Sequence, residues 1–362
     1  MRLVLAGGGT FGHVGPLLAT ARELRRRHGD VELRAVGTAE GIEAELVPDA
    51  GVELVVIPRA PLPRRPGAYA VRFPMLWRRA VTSLGQLFRD FQPHAVVGFG
   101  GYVATPAYRV AAKAGVPIVV HEANARPGLA NRWGAARAAG VGVAFADTAL
   151  PGAELVGMPL RPELARLDRA ALRPEAQAIL GLDPDRRTLL VAGGSLGAAS
   201  LNQALAGVAP ALLAAGAQVL HLTGRGKGQA VRQSVARLDG TQRYHVLEYL
   251  DRMELALAAA DLAVQRAGAG TVHELACAGL PSVLVPLPVG NGEQRLNAAG
   301  LVGAGGANLV ADAEFGAWAA DNLVGLLFDQ DRLAGMAAGA ATVAIRDGAE
   351  RLADLVEAVA RP

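Results

Sequence analysis

Short apolar runs alternate with longer stretches of helical periodicity along the whole chain. RLVLA leads into PLLATARELRRR and then VELRAVG, and further on HAVVGFG leads into TPAYRVAAKAG and then PIVVHE. Strands that are apolar on both faces, separated by amphipathic helices, predict parallel sheets covered by helices. The pattern then restarts. RLVLAGGGTFGHVGPLLATARELRRRHGDVELRAVGT has a counterpart in TLLVAGGSLGAASLNQALAGVAPALLAAGAQVLHLTG, residues 188–224, with strand, glycine turn, helix and strand in the same order. The prediction is an α/β chain of two doubly wound, Rossmann-like domains. VGMPLRPELARLD breaks the periodicity at Gly157, Pro159 and Pro162, which places the joint there and the domains over 1–157 and 158–340. AERLADLVEAVAR predicts a helix within 341–362, with Leu352, Leu355, Val356 and Val359 on one face, packing back on the first domain.

A length of 362 residues suits two domains. The single cysteine, Cys277, cannot form an internal disulfide, which fits a reducing compartment. Its setting, LACAGLP, reads as helix packing. The chain starts directly on a strand, without the pattern of a secretory signal. No apolar run reaches the roughly 18 residues a membrane span needs.

The mild net charge of +3 hides an uneven distribution. No acidic residue falls between Glu53 and Asp90, while seven arginines do: Arg59, Arg64, Arg65, Arg72, Arg78, Arg79 and Arg89. Tyr69, Phe73, Met75, Leu76 and Trp77 interleave with them. Such a mixture over 59–79 suits either an anionic membrane surface or an ordinary arginine-rich surface helix. Nucleic acid is not expected as a partner, because one proline-broken basic segment stands without any recognised nucleic-acid module.

Three glycine loops carry the candidate chemistry. Gly7, Gly9 and Gly12 spell G-x-G-x-x-G after the first strand. A glycine turn at a helix N-terminus binds anions, and it also merely closes many βα units. A dinucleotide needs a carboxylate at the end of the second strand, but that strand ends Val36, Gly37, Thr38. His13 stands where the first helix begins, available as a base near neutral pH or as a loop cap. QRAGAGTVHELACAGLP, residues 265–281, offers Arg266, Gly268, Gly270 and Thr271 to a diphosphate and Glu274 to ribose hydroxyls. Asn291, Gln294 and Asn297 follow as neutral amides suited to a sugar.

The segments GGGTFGHVGP, VGFGGYVATPAY, HEANARPGLANRW, VGMPLRP, GGSLGAASLN, EYLDRM, RAGAGTVHELACAGLP and PLPVGNGEQRLNA occur in one order over nearly the whole chain. In these the chain resembles the bacterial MurG family of UDP-N-acetylglucosamine transferases of peptidoglycan synthesis, its actinobacterial branch above all. The resemblance implies two facing Rossmann-like domains with a cleft between them (GT-B type). It implies inverting transfer of GlcNAc from UDP-GlcNAc to the MurNAc C4 hydroxyl of lipid I, giving lipid II. No metal and no cofactor are implied. The implied donor contacts are Arg161, Ser195, Leu250, Ala269, Gly270, Thr271, Val272, His273, Glu274 and Gln294, joined by Thr10, Phe11, Gly12 and Asn124. Tyr102, His121 and Asn202 fall on the acceptor side, and His13 or Glu122 is the base.

The same resemblance gives the segment 59–79 a role in docking to an anionic membrane, at its cytoplasmic face. Phe11 stands where the family usually has Gly or Ala, which implies a benzyl group crowding the acceptor channel. A UDP-GlcNAc 2-epimerase, a glycosyltransferase for another glycolipid or natural product, and a non-catalytic UDP-sugar-binding duplicate are the alternatives on this fold.

Overall fold

A computed structural model describes residues 1–63, 65, 67–194, 197–289 and 291–360. Two compact units divide the chain: Met1–Leu160 together with the segment from Asp347, and Arg161–Arg346. The division falls three residues beyond the expected joint at 157. Residues 341–346 belong to the second unit, so the returning segment starts at 347 and not at 341.

The first unit is a seven-stranded sheet of β1 (Arg2–Gly7), β2 (Glu32–Gly37), β3 (Glu53–Val56), β4 (Ala95–Gly100), β5 (Ile118–Glu122), β6 (Gly140–Val143) and β7 (Ala153–Leu155). Its order is β3-β2-β1-β4-β5-β6-β7, with every pair parallel. Side chains alternate across it, as the two-residue period of a strand requires. Leu3 and Leu5 of β1 face one core with Val97, Val119, Leu352 and Val356. Val4 and Ala6 face the other, with Leu84, Phe88, Tyr108 and Val120.

The second unit repeats the design with β8 (Thr188–Ala192), β9 (Gln218–Leu222), β10 (Tyr244–Leu247), β11 (Leu262–Gln265), β12 (Ser282–Leu284) and β13 (Ala307–Leu309). Their order is β10-β9-β8-β11-β12-β13, again all parallel. In both sheets the order reverses beside the first strand of the unit, between β1 and β4 and between β8 and β11. Loops leaving the carboxyl ends of those two strand pairs diverge to opposite faces, which opens a crevice there.

The helix Gly348–Val359 completes the first unit. Leu352, Ala353 and Val356 are fully buried on it, and Arg27 of the helix Phe11–Arg27 bonds Asp354 at 2.5 Å and the Glu350 carbonyl at 2.9 Å. Truncating Leu352 to alanine removes buried apolar volume and should cost about 2–5 kcal/mol. Hydrogen exchange should then accelerate on β1 and β5 while β8 and β11 keep their protection. Equal acceleration in both units would contradict this division of the chain.

Candidate functional site

The loop from β1 to the helix Phe11–Arg27 lies at the reversal point of the first sheet. His13, half-buried, places Nδ1 3.1 Å from the Gly8 carbonyl and 3.2 Å from Thr10 Oγ1. A carbonyl only accepts, so the proton is assigned to Nδ1 and Nε2 is left as the basic nitrogen. Nε2 has no hydrogen-bond partner among the described residues. The ring lies against the end of β4, where Gly100 and Gly101 have φ of +92° and +75°. A Cβ at Gly100 would stand 3.2 Å from His13 Nε2, and one at Gly101 would stand 2.7 Å from the Gly8 carbonyl. Only glycine fits at either place. Burial lowers the pKa of His13, against the raising effects of the Gly8 bond and the charges of Glu122 and Glu43. Tyr102 borders the same loop, with its ring 3.5 Å from where a Gly9 Cβ would be and its hydroxyl 3.1 Å from Thr38 Oγ1.

Phe11 does not crowd this loop. Its ring lies over Gly15 one helical turn on, 3.1 Å from where a Cβ there would sit, and it is largely exposed. No contact with it would form from Gly9.

Glu122, at the end of β5, is buried with both carboxylate oxygens in use. One accepts from the Asn124 amide at 2.9 Å, the other from the Gly128 amide and Asn131 Nδ2 at 3.0 Å each. A carboxylate committed to three such donors holds the loop 123–128 in place. Asn131 is itself fixed by the Tyr108 hydroxyl at 2.8 Å and the His121 carbonyl at 3.0 Å. His121, expected on the acceptor side, is fully buried, with Nε2 3.0 Å from the Gly157 carbonyl and its ring against Phe99. It belongs to the core because residue 121 of β5 alternates inward.

In the second unit the helix Ala269–Ala278 starts at the carboxyl end of β11. Gly268, Gly270 and Thr271 are partly open there, while Ala269, Val272 and His273 are buried. His273 Nδ1 approaches the Ala269 carbonyl at 2.9 Å, so its side chain, like that of Val272, supports the helix from inside and does not face a ligand. Glu274 is different. It has no hydrogen-bond partner among the described residues, and burial raises its carboxyl to about 6, against the lowering effect of the Arg161 charge. Arg161 is held loosely, 3.4 Å from the Asp251 carbonyl and 3.8 Å from Glu254.

Arg266 braces this loop from beneath. Its guanidinium bonds the Val285 carbonyl at 3.0 Å, Ser200 Oγ at 2.8 Å and Asp312 at 2.6 Å. Gln294 Oε1 accepts from the Leu287 amide at 2.9 Å, and Leu250 is half-buried after β10. Ser195 lies outside the described residues.

Asn202, also expected on the acceptor side, is buried in the second unit. Its Oδ1 accepts from His221 Nε2 at 3.0 Å and its amide donates to the Thr223 carbonyl at 3.1 Å. Burial lowers His221 to about 4, so the ring stays neutral and its Nδ1 accepts from the Tyr244 hydroxyl at 2.8 Å. Asn202 is thus a member of a closed internal network.

The basic segment becomes the helix Ala68–Phe91, whose second half buries Leu84, Leu87, Phe88 and Phe91. Its first half exposes Val71 at 81% and Met75 at 50% beside Arg72, Arg78 and Arg79. Tyr69, Phe73 and Trp77 follow one another a turn apart as tilted ring pairs, with centroids 6.4 and 6.0 Å apart. Arg59 lies 5.8 Å from the ring of Tyr102, which joins the segment to the His13 loop. Arg64 and Pro66 lie outside the described residues. No helix among the described residues is long and apolar enough to cross a membrane.

Sequence reasoning missed Glu43, which fills the place at the end of β2 that had seemed to lack a carboxylate. The motif GTAEGIE, with glycines at 37 and 41 ahead of Glu43, was the available signal. Its carboxylate already accepts from the Gly9 amide and the Thr38 amide, each at 2.9 Å, and touches the space any Gly8 side chain would need. That leaves it no capacity to hold a dinucleotide ribose.

Comparison with known proteins agrees across the whole length. The glycosyltransferase family 28 N-terminal domain matches residues 3–143 and the family's C-terminal domain matches residues 188–352. A relative from Leifsonia xyli subsp. xyli, named UDP-N-acetylglucosamine--N-acetylmuramyl-(pentapeptide) pyrophosphoryl-undecaprenol N-acetylglucosamine transferase, is 56% identical over 98% of this chain and 97% of its own. The crystal structure of Acinetobacter baumannii MurG aligns over 99% of both chains at 28% identity, with a TM-score of 0.80. The UDP-GlcNAc 2-epimerase of Neisseria meningitidis aligns over 99% of this chain and 100% of its own with a TM-score of 0.69, but at 13% identity this is likeness of fold alone.

The raised carboxyl of Glu274 means that the folded chain holds its proton more tightly than the unfolded chain does. Stability from this group is therefore fully present below 4.5 and declines as pH rises towards about 6. Glu274→Gln should unfold at a higher temperature than the parent at pH 8 and at the same temperature at pH 4. Equal midpoints at both pH values would show that the carboxyl is not held neutral by its surroundings. Imidazole NMR should likewise find His13 titrating below the 6.5 of an ordinary histidine.

Proposed function

Because the chain belongs to glycosyltransferase family 28, in its MurG branch, we propose that its two reversal-point loops divide the work of one inverting sugar transfer. The protein is an N-acetylglucosaminyltransferase that moves GlcNAc from UDP-GlcNAc to the C4 hydroxyl of MurNAc in lipid I, forming lipid II. The observation that carries this is full-length identity to relatives of one named activity, which the 13% likeness to an epimerase does not match. The alternative of a binding-only duplicate rested on Phe11, whose ring lies over Gly15 one helical turn on.

The second unit takes the donor. The helix Ala269–Ala278 turns its N-terminal amides towards the diphosphate through Gly268, Gly270 and Thr271, and Arg161 adds a full positive charge. Both stabilise the charge that gathers on UDP as the glycosidic bond breaks. Glu274, which has no hydrogen-bond partner among the described residues, accepts from the ribose hydroxyls. Gln294, Leu250 and Ser195 complete the donor contacts.

The first unit takes the acceptor. His13 Nε2 removes the proton of the C4 hydroxyl as that oxygen attacks the anomeric carbon from the face opposite UDP. Inversion follows from this single displacement. The imidazolium so formed is stabilised by the nearby carboxylates Glu122 and Glu43. Glu122 acts by shaping the loop 123–128, Asn124 included, and not as the base. Tyr102 borders the path between His13 and the basic helix. That helix rests its exposed Val71 and Met75 in the headgroup layer of the cytoplasmic membrane face, where Arg72, Arg78 and Arg79 meet anionic lipid.

Transfer of radiolabelled GlcNAc to a short-chain lipid I analogue tests the reading. His13→Ala should lower kcat by about 10²–10⁴ with UDP affinity unchanged, the range of a lost general base. A parent enzyme that binds UDP-GlcNAc and transfers nothing would refute the acceptor assignment. Replacing Arg72, Arg78 and Arg79 together by glutamate should weaken flotation with anionic vesicles by roughly a hundredfold or more, at about 1 kcal/mol per lost arginine. Unchanged flotation would assign that helix face to something other than lipid.

A further inference from the structure

We infer that Glu43 is a positioning residue for the transfer, clamping the His13 loop to the end of β2 and, through Thr38, to Tyr102. The inference rests on the reading of His13 as the base. The carboxylate is fully buried. Glu43 Oε2 accepts from the Gly9 amide at 2.9 Å. Oε1 accepts from the Thr38 amide and from the Thr38 hydroxyl, at 2.9 Å each. Since the Thr38 hydroxyl donates to Glu43, its oxygen accepts from the Tyr102 hydroxyl at 3.1 Å. One carboxylate therefore connects the backbone beside Gly8, whose carbonyl orients His13, with a side chain bordering the same loop.

The surroundings are built around this group. A Cβ on Gly8 would come within 2.6 Å of Glu43 Oε1, and Cβ atoms on Gly37 and Gly41 would collide with the Glu43 side chain. Three glycines from two segments thus leave room for one buried carboxylate, and among the described residues it has no arginine or lysine partner. A buried charge without an ion pair is costly unless amides and hydroxyls satisfy it, and these three donors do. Because each side needs an acceptor oxygen of its own, the clamp needs a carboxylate. An amide of the same shape presents an acceptor to one side only and an N–H to the other.

That asymmetry makes Glu43→Gln the informative variant. In the GlcNAc transfer assay, kcat should fall at least tenfold while the Kd for UDP and the KM for UDP-GlcNAc change less than twofold. Amide exchange at Gly9 should accelerate at least tenfold in the same protein, a readout independent of turnover. Thr38→Val supplies a second variant in case the first fails to fold. It keeps the Gly9 bond and breaks the tie to Tyr102, so it should raise the KM for the lipid I analogue and leave Gly9 protected. A folded Glu43→Gln protein with kcat within twofold of the parent, or with Gly9 still protected, overturns the inference. If the parent itself transfers nothing, the functional reading fails first, and the catalytic role of Glu43 fails with it.

Discussion

A parallel strand cannot be followed directly by its neighbour; the chain must cross back over the sheet before the next strand can begin. Both units of this protein are built from that constraint alone, since every strand pair is parallel. Its consequence is that all strands of a sheet discharge their loops at one edge. Beside β1 and β8, loops also part to opposite faces and leave their backbone amides without neighbours. His13, Gly100, Gly101 and Tyr102 meet at one such place, and Gly268 to Glu274 meet at the other. The helices there begin with exposed N–H groups, so a diphosphate or a polarised hydroxyl finds partners that the protein cannot satisfy by itself.

Three glutamates show how surroundings, and not residue type, assign roles. Glu43 and Glu122 are each wrapped by donors from backbone and side chain, which fixes the loops that provide those donors. Glu274 is half-buried and has no hydrogen-bond donor among the described residues, and burial pushes its carboxyl up to about 6. The first two are structural charges that shape a site. The third is left incomplete until hydroxyl groups arrive from a ligand, so stability is given up where function needs an open valence.

The arginines divide in a similar way. Arg266 is buried and its two terminal nitrogens are held by carbonyls, a hydroxyl and Asp312, so its charge supports the loop from beneath. Arg72, Arg78 and Arg79 stand in solvent beside exposed Val71 and Met75, an arrangement that loses little by meeting a charged surface and buries apolar area when it does. Arg161 lies between these extremes, close to Glu254 and Asp251 yet held by neither at short range.

The sequence by itself determined the architecture and where to look. Apolar runs between amphipathic stretches are dictated by strands buried on both faces, and glycine turns at strand ends need no tertiary information to be recognised. The repeat starting at Thr188 and the helix carrying Glu274 were legible for that reason. What only the tertiary structure decided is which side of each element a residue faces and who shares its hydrogen bonds. His121, His273 and Asn202 sit in ligand-like motifs yet point into cores, because alternation along a strand and rotation around a helix send neighbours to opposite faces. Phe11 folds onto Gly15 instead of over the loop. Glu43 acts on Gly9 from 34 positions away in sequence, and hydrogen bonds between such distant residues exist only once β1 and β2 lie side by side.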